Sequence, residues 1–439
     1  MKMRQRLVTE ERVDGVVPTI AFKRLVQPLL GKMLQPAQGS PDETLVLYLK
    51  AGHVGWGRLD LPEELPEMWA TETDIYTLHP KVGDLLICEG GEVGRATVIG
   101  KPLPPTAIVQ NSLHLVRQSQ SADVRYLRYA LEHAALSGWL DILCNKATIA
   151  HLTNDKLRDL RVPFHIGSKQ TRIANFLDEQ TARINALIAE KERLVEVLHE
   201  LMVSRLAFEM GGGANASIKT HYEWYPAIPL AWKVIPFKYA VRFVEGPGIL
   251  AQDFRDEGVP LLRVSSLRGA LATLDGCNYL DPVKVAKVWS HFRVKRGDLL
   301  ISASATMGTV SLVTEDAEGA VPYTGIIILR PDESIAIRDF VRSFVISDQF
   351  MRQIDSMKAG ATIQHFGPTH LNRVVMAVPE SVAEQVVVAA RLERWREAYE
   401  KSVASITAHV LSLREYRSSM ISAAVTGQLD IDSFEKGVA

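Results

Sequence analysis

The chain has 439 residues, with 50 Lys and Arg against 51 Asp and Glu, a net charge of −1 and 47% hydrophobic residues. That length accommodates two to four domains, and the even charge is a mild mark against nucleic-acid binding, which usually leaves a basic footprint. No run of ~18 apolar residues indicates a membrane span, "MKMRQRLVTEERVDG" lacks a signal-peptide core, and Cys88, Cys144 and Cys277 form no CxxC pair, so a cytoplasmic protein without a disulfide framework or cysteine zinc site is expected.

Along the chain, short apolar runs broken by Gly, Pro and Asp come first: "GDLLIC", "ATVIG" and "NSLHLVR" predict strands and turns. "DVRYLRYALEHAALSGWLDIL" then predicts helix, so the first globular part, residues 1–166, is α+β. A long helix follows over 167–210, and "GGGANAS" (211–217) ends it and opens a flexible linker, 211–220. The pattern then restarts. "GDLLIS", "VSLV" and "GIIILRP" precede "IRDFVRSFVISDQFMRQIDSM" within a second globular part, 221–380. A second long helix, 381–427, opens on a capping box (Ser381, Glu384) and closes at Gly427, ahead of a tail at 428–439.

The restart is a duplication. Gly83 and Asp84 answer to Gly297 and Asp298, and "ATIAH" (147–151) to "ATIQH" (361–365), all 214 residues apart. Both long helices carry heptads. With Leu177 at position a, the first gives a and d residues Leu177, Gln180, Ile184, Leu187, Lys191, Leu194, Leu198, Leu201, Arg205 and Phe208, while Ile188, Val195 and Met202 at e widen the stripe. The second gives Leu392, Trp395, Tyr399, Ser402, Ile406, His409, Leu413, Tyr416, Met420 and Ala423. Such seams must pack on something, and the other helix is the obvious partner. Run antiparallel, the pair brings Lys191, Ser402 and His409 into one central polar layer that fixes register. The expected fold is therefore α+β: two similar α/β domains separated by two long antiparallel coiled-coil helices, with an internal pseudo-twofold repeat. A helix of ~40 residues at ~1.5 Å per residue is a rod of roughly 60 Å.

Catalytic signatures are missing. There is no GxxxxGK[ST], HExxH or GxSxG, the only Pro-Pro is in "LPPTA" (103–107), and no Lys stands two residues after an Asp or Glu. The glycines of "EGGEVG" (89–94) are reduced to one in "ASATMG", which favours a strand-connecting turn over a phosphate loop. His151 and His365 lie in apolar surroundings with no acidic neighbour common to both, so a structural role is preferred to DNA contact or catalysis. The loops differ more than the frame. "VSSLRGALATLDGCNYLDPVKVAKVWSHFRVKR" places Lys284, Lys287, His291, Arg293, Lys295 and Arg296 around Trp289 and Phe292, where the first copy has Glu63, Glu64, Glu67, Glu72 and Asp74.

The duplication, together with "KQTRIANFLDEQTARINALIAEKERLVEVL" (169–198), "IPLAWKV" (228–234) and "SSMISAAVTGQLDI" (418–431), resembles the specificity (S) subunits of type I restriction–modification systems over nearly the whole chain. The segment "VVPTIAFKRL" is a poor copy of "IPLAWKVIPF". The resemblance implies a non-enzymatic subunit with two target recognition domains, 1–166 and 221–380, that read a bipartite, asymmetric site in double-stranded DNA. The helices act as spacer and as dock for two methyltransferase (M) subunits, which carry S-adenosylmethionine, and motor-nuclease (R) subunits can join. On that reading the first half-site is read near Lys50, His53 and Arg58. The second is read near Arg263, Ser265, Ser266 and Arg268 and the basic residues Lys284, Lys287, Arg293 and Lys295. The helix–helix spacer residues are Leu177, Ile184, Leu187, Leu194, Leu198, Leu201, Leu392, Trp395, Tyr399, Ile406, Leu413 and Tyr416. A scaffold of a methylation-only system, and an enzyme using His151 and His365, are the alternatives.

Overall fold

A computed structural model describes residues 17–119, 122–144, 150–215, 217–304, 308–357 and 365–437. The "ATI" of both "ATIAH" and "ATIQH" lies outside these residues. The chain divides into two units: Met1–Lys191 with Ala408–Ala439, and Glu192–Thr407. Each therefore holds one strand-rich domain and half of each long helix.

The two domains repeat one plan. In the first, an antiparallel sheet runs Pro28–Leu30, Leu113–Val116, Leu85–Cys88, Ala96–Val98; in the second, Val241–Glu245, Ile326–Pro331, Leu299–Ser302, Val310–Leu312. Beside it, Thr44–Leu49 pairs antiparallel with Glu67–Ala70 and parallel with Ile108–Val109, as Val259–Leu262 does with Asn278–Leu280 and Val321–Pro322. Leu85–Cys88 and Leu299–Ser302 are buried at every position, which is why both read as unbroken apolar runs.

The repeated Gly-Asp has a mechanical cause. Gly83 and Gly297 sit at φ +90° and +89°, a region that suits glycine alone. The following carboxylate folds back: Asp84 accepts from Lys81 N at 2.7 Å and Asp298 from Lys295 N at 2.8 Å. Both carboxylates are buried, and each is gripped by an arginine, Arg117 just past the end of the neighbouring strand or Arg330 within it. A buried charge held this way rigidifies the turn, since either partner alone would be left unpaired. "EGGEVG" likewise closes a strand-connecting turn, with Gly94 N on Cys88 O at 3.0 Å; in the second domain Gly308 N meets Ser302 O at the same distance, while residues 305–307 of "ASATMG" lie outside the described residues.

The start of the first domain is better matched to the second than its letters indicate. Phe22 N donates to Leu160 O as Phe237 N does to Val374 O, each at 2.9 Å, and both rings are fully buried. "TIAFK" (19–23) thus stands for "VIPFK" (234–238), with the preceding proline displaced.

The long helices span Ser168–Met210 and Val382–Val425. Within the second unit they run antiparallel: His199 meets Tyr399, Arg205 lies over Trp395, and Glu209 pairs with Arg391 at 3.3 Å. The seam differs from the expected one at every second position. The inward positions are a and the residue four later: Leu177, Thr181, Ile184, Ile188, Val195, Leu198 and Met202 on the first helix, and Leu392, Arg396, Tyr399, Val403, Ile406, Val410 and Leu413 on the second. Leu187, Leu194, Leu201, Trp395 and Tyr416 are instead 43–53% exposed, and Phe208 46%. Ser402 and His409 are exposed as well, so no central polar layer forms there. Burying a valine gains ~1.5 kcal/mol or more, whereas a buried Ser or His must first find a partner. Val403 and Val410 therefore turn inward in their place.

Two connecting segments are more ordered than expected. The linker after Met210 leads into a hairpin, Ile218–Tyr222 with Tyr225–Ile228, whose Tyr225 and Ile228 join the second domain's core. The tail forms a helix, Ile431–Gly437, whose Phe434 packs edge-on against Phe176 and whose Asp432 pairs with Arg172. Glu384 accepts from the Trp232 indole at 2.8 Å, tying the second long helix to its domain.

Candidate nucleic-acid interface

Both domains present a cation in the same way. Directly after the buried strand ends at Leu49 and Leu262, Lys50 and Arg263 open a one-turn bend. His53 N donates to Lys50 O at 2.9 Å, and Ser266 N to Arg263 O at 2.8 Å. In return, Lys50 N donates to His53 Nδ1 at 3.4 Å and Arg263 N to Ser266 Oγ at 3.2 Å. Burial lowers the pKa of His53, with Lys50's charge adding to the effect, which keeps Nδ1 free to accept. His53 is 6% exposed and Ser266 1%. They close the turn and are not available to a ligand, which corrects their placement among DNA contacts. Lys50, Arg263, Ser265 and Arg268 are exposed. Arg58 is exposed too, but its guanidinium is engaged by Asp60 at 2.7 Å.

In the second domain the turn connects with the basic stretch. Arg263 donates to Asn278 Oδ1 at 3.2 Å and lies 5.9 Å from the Phe254 ring centroid. Phe254 adjoins Asp253, which pairs with Lys284; Lys284 lies 5.0 Å from the centroid of Trp289. Lys287 sits on a π-helical turn, Val285–Trp289, a distortion frequent at functional sites. Lys287, Arg293, Lys295 and Arg268 are exposed and make no ion pair among the described residues. Lys284 is partly neutralised by Asp253, which lessens its value as a phosphate contact. Asn278 and Phe254 escaped sequence reasoning because only strand pairing brings 254, 263 and 278 together.

The corresponding element of the first domain is the helix Glu72–Leu78, capped by Thr71, with Asp74 paired to Lys32 at 2.9 Å. One scaffold position is thus acidic in one copy and basic in the other. Cations attract phosphate and carboxylates repel it, so the two copies offer an anionic ligand opposite charge at this position.

His151 and His365 do not have the apolar settings expected of them. His151 Nδ1 lies 3.0 Å from Glu89 and His365 Nε2 2.9 Å from Glu245, with side chains 49% and 41% exposed. No group of three or more His, Cys, Asp or Glu among the described residues is arranged to hold a metal ion. Among the described residues, no helix is long and apolar enough to cross a membrane.

No family model matches this chain. Among curated proteins it is similar to the type I restriction enzyme EcoBI specificity subunit of Escherichia coli, 20% identical over 315 residues, which cover 67% of this chain and 64% of that subunit. The match thus falls just short of two thirds of the relative's length. Among solved structures, a chain from work on complex assembly and conformational transition of the type I R-M system matches with a TM-score of 0.72 at 14% identity, covering 95% of this chain and 100% of the other. The HsdS subunit from Thermoanaerobacter tengcongensis matches with a TM-score of 0.54, also at 14% identity, over 96% and 99% of the two chains. The resemblance seen in the helix phrases is borne out by these matches, and the fold is shared with HsdS.

Proposed function

We propose that this chain is the DNA-recognition subunit of a type I restriction–modification complex. Its two domains read the halves of a bipartite, asymmetric site in double-stranded DNA. Its long helices are the spacer and the dock for two methyltransferase subunits, which bring S-adenosylmethionine; nuclease subunits join them for cleavage. The chain itself selects sequence and performs no chemistry.

The observation that carries this reading is the pairing of a repeated frame with divergent exposed chemistry. The sheets, the Gly-Asp turn and the cation-bearing bend recur, while the flanking helix is acidic in one copy and basic in the other. A molecule built to read two different sequences needs that combination: rigid presentation and variable contacts. In the second unit, Leu194, Leu201, Phe208 and Trp395 leave apolar surface on the helix pair, as expected of a face that a partner helix covers.

The test is selection from a random duplex library by the chain co-purified with its methyltransferase subunit. Enrichment of two short fixed sequences at a constant separation supports the reading. Uniform retention of all sequences, with the complex intact, overturns it.

A further inference from the structure

We propose that Arg263 and Lys50 are the equivalent base-reading side chains of the two domains, Arg263 on a guanine edge, and that Ser266 and His53 are positioning residues that aim them. This rests on the DNA-recognition reading above and assigns it to specific atoms.

The two turns are built alike from different residues. Each follows a fully buried strand end, Leu49 or Leu262, fixed by parallel pairing with Val109 or Pro322. Each is closed from both ends by the third residue along, through its own N–H and through a side-chain acceptor on the first residue's N–H. That acceptor is an imidazole nitrogen in one copy and a hydroxyl in the other, so the job persists while the chemistry performing it has changed. The outward residue is a cation in both. The middle residue faces open space: a Cβ on Gly52 would meet nothing within 4 Å, and its counterpart Ser265 is exposed. A rigid turn with a buried closing residue and an open tip is how a scaffold offers a side chain to a ligand.

The cations are not interchangeable. Arginine presents five donors in a planar fork and matches O6 and N7 of guanine in the major groove. Asn278 Oδ1 occupies one N–H of Arg263 at 3.2 Å, which orients the guanidinium and leaves its other donors free. Phe254 beside it links the turn to Lys284 and the basic segment, so phosphate-binding charge lies on the same surface. Lysine is a flexible point charge and selects acceptor-bearing edges less sharply. The two half-sites are therefore read with unequal stringency at the corresponding position.

The experiment selects duplexes from a random library with the full chain in its methyltransferase complex, comparing wild type with R263A, K50A, S266A and H53N. In wild type one position of one half-site is fixed as G. R263A relaxes that position by about 10-fold or more in base preference and leaves the other half-site unchanged; K50A does the converse. S266A loosens the position read by Arg263, whereas H53N retains the half-site read by Lys50, because the amide oxygen can accept in place of Nδ1. Weaker binding by R263A to every sequence alike, with the motif intact, makes Arg263 a phosphate contact and overturns the proposal while the DNA-recognition reading stands. No enrichment by wild type overturns both.

Discussion

His365 Nε2 lies 2.9 Å from Glu245 Oε1, and the histidine equivalent to it, His151, finds its carboxylate elsewhere in the sheet, at Glu89 just past the end of Leu85–Cys88. Unit two has Ala303 where unit one has Glu89, and unit one has Leu30 where unit two has Glu245. Leu152 N on Glu89 O and Phe366 N on Ala303 O fix the equivalence of the surrounding backbone. Each copy has thus kept the histidine–carboxylate pair by different means.

That pair is half exposed, so its contribution is expected to be small. His365→Ala and His151→Ala should each lower stability by ~1 kcal/mol or less, seen as a shift of a few degrees in thermal unfolding. A catalytic role is contradicted if methylation in the assembled complex falls no more than DNA binding does. Loss of turnover with DNA binding and fold intact would instead revive the enzyme reading.

Glu132 and Arg417 lock the first domain onto the second long helix. The carboxylate is 5% exposed, accepts from Arg417 Nη1 at 2.6 Å, and has Arg128 on its other side at 3.6 Å. Arg417→Ala leaves that charge buried beside Arg128 alone and should cost about 3–5 kcal/mol. Glu132→Gln combined with Arg417→Met should recover part of the loss. A calorimetric midpoint for Arg417→Ala within a degree of wild type would show that the pair carries no such role.

Acid should weaken the first unit. Burial lowers the pKa of His114 from its ordinary 6.5, as it does for His133. Both are neutral in the folded state at pH 7: His114 Nε2 bonds Leu152 O at 2.7 Å, and His133 Nδ1 bonds Ser422 Oγ at 3.1 Å. A folded-state pKa below the unfolded one gives stability that is complete above pH ~6.5 and is lost as pH falls through the folded value. The unfolding midpoint should therefore drop between pH 7.5 and 5.5. His114→Ile, which copies the equivalent Ile327 of the second unit, should shrink that drop; an equal drop in the variant would remove His114 as its source.

The triple change Lys287→Ala, Arg293→Ala and Lys295→Ala should weaken DNA binding without altering the preferred sequence. Each true phosphate contact removed lowers the dependence of log K on log salt by about 1. Titrations at several salt concentrations read this directly. An unchanged slope would move the phosphate-binding surface elsewhere.

Much of this molecule was legible as a repeat, because a steady spacing between matching residues survives divergence of everything between them. Heptad phase was not. On the first helix the residues three and four after Ile184, Lys191 and Leu198 are both apolar (Leu187 or Ile188, Leu194 or Val195, Leu201 or Met202), so periodicity alone could not choose between them. On the second, Val403 and Val410 against Ser402 and His409 carried the answer, had apolarity been weighed at both offsets. His53 and Ser266 are misplaced by sequence for another reason: polarity predicts contact, but only coordinates show a side chain turned back onto its own backbone. The carboxylate partners of His151 and His365 lie far off along the chain, and neither position is acidic in both copies.

On the proposed function, this chain decides where a methyltransferase acts. The most direct test expresses it with its methyltransferase subunit in a host lacking adenine methylation and maps modified adenines across the genome. The expected result is one asymmetric motif, two short fixed parts around an unread gap, present only when this chain is expressed. Methylation that is absent despite a soluble complex, or that falls on a motif unchanged when this chain is omitted, would contradict it.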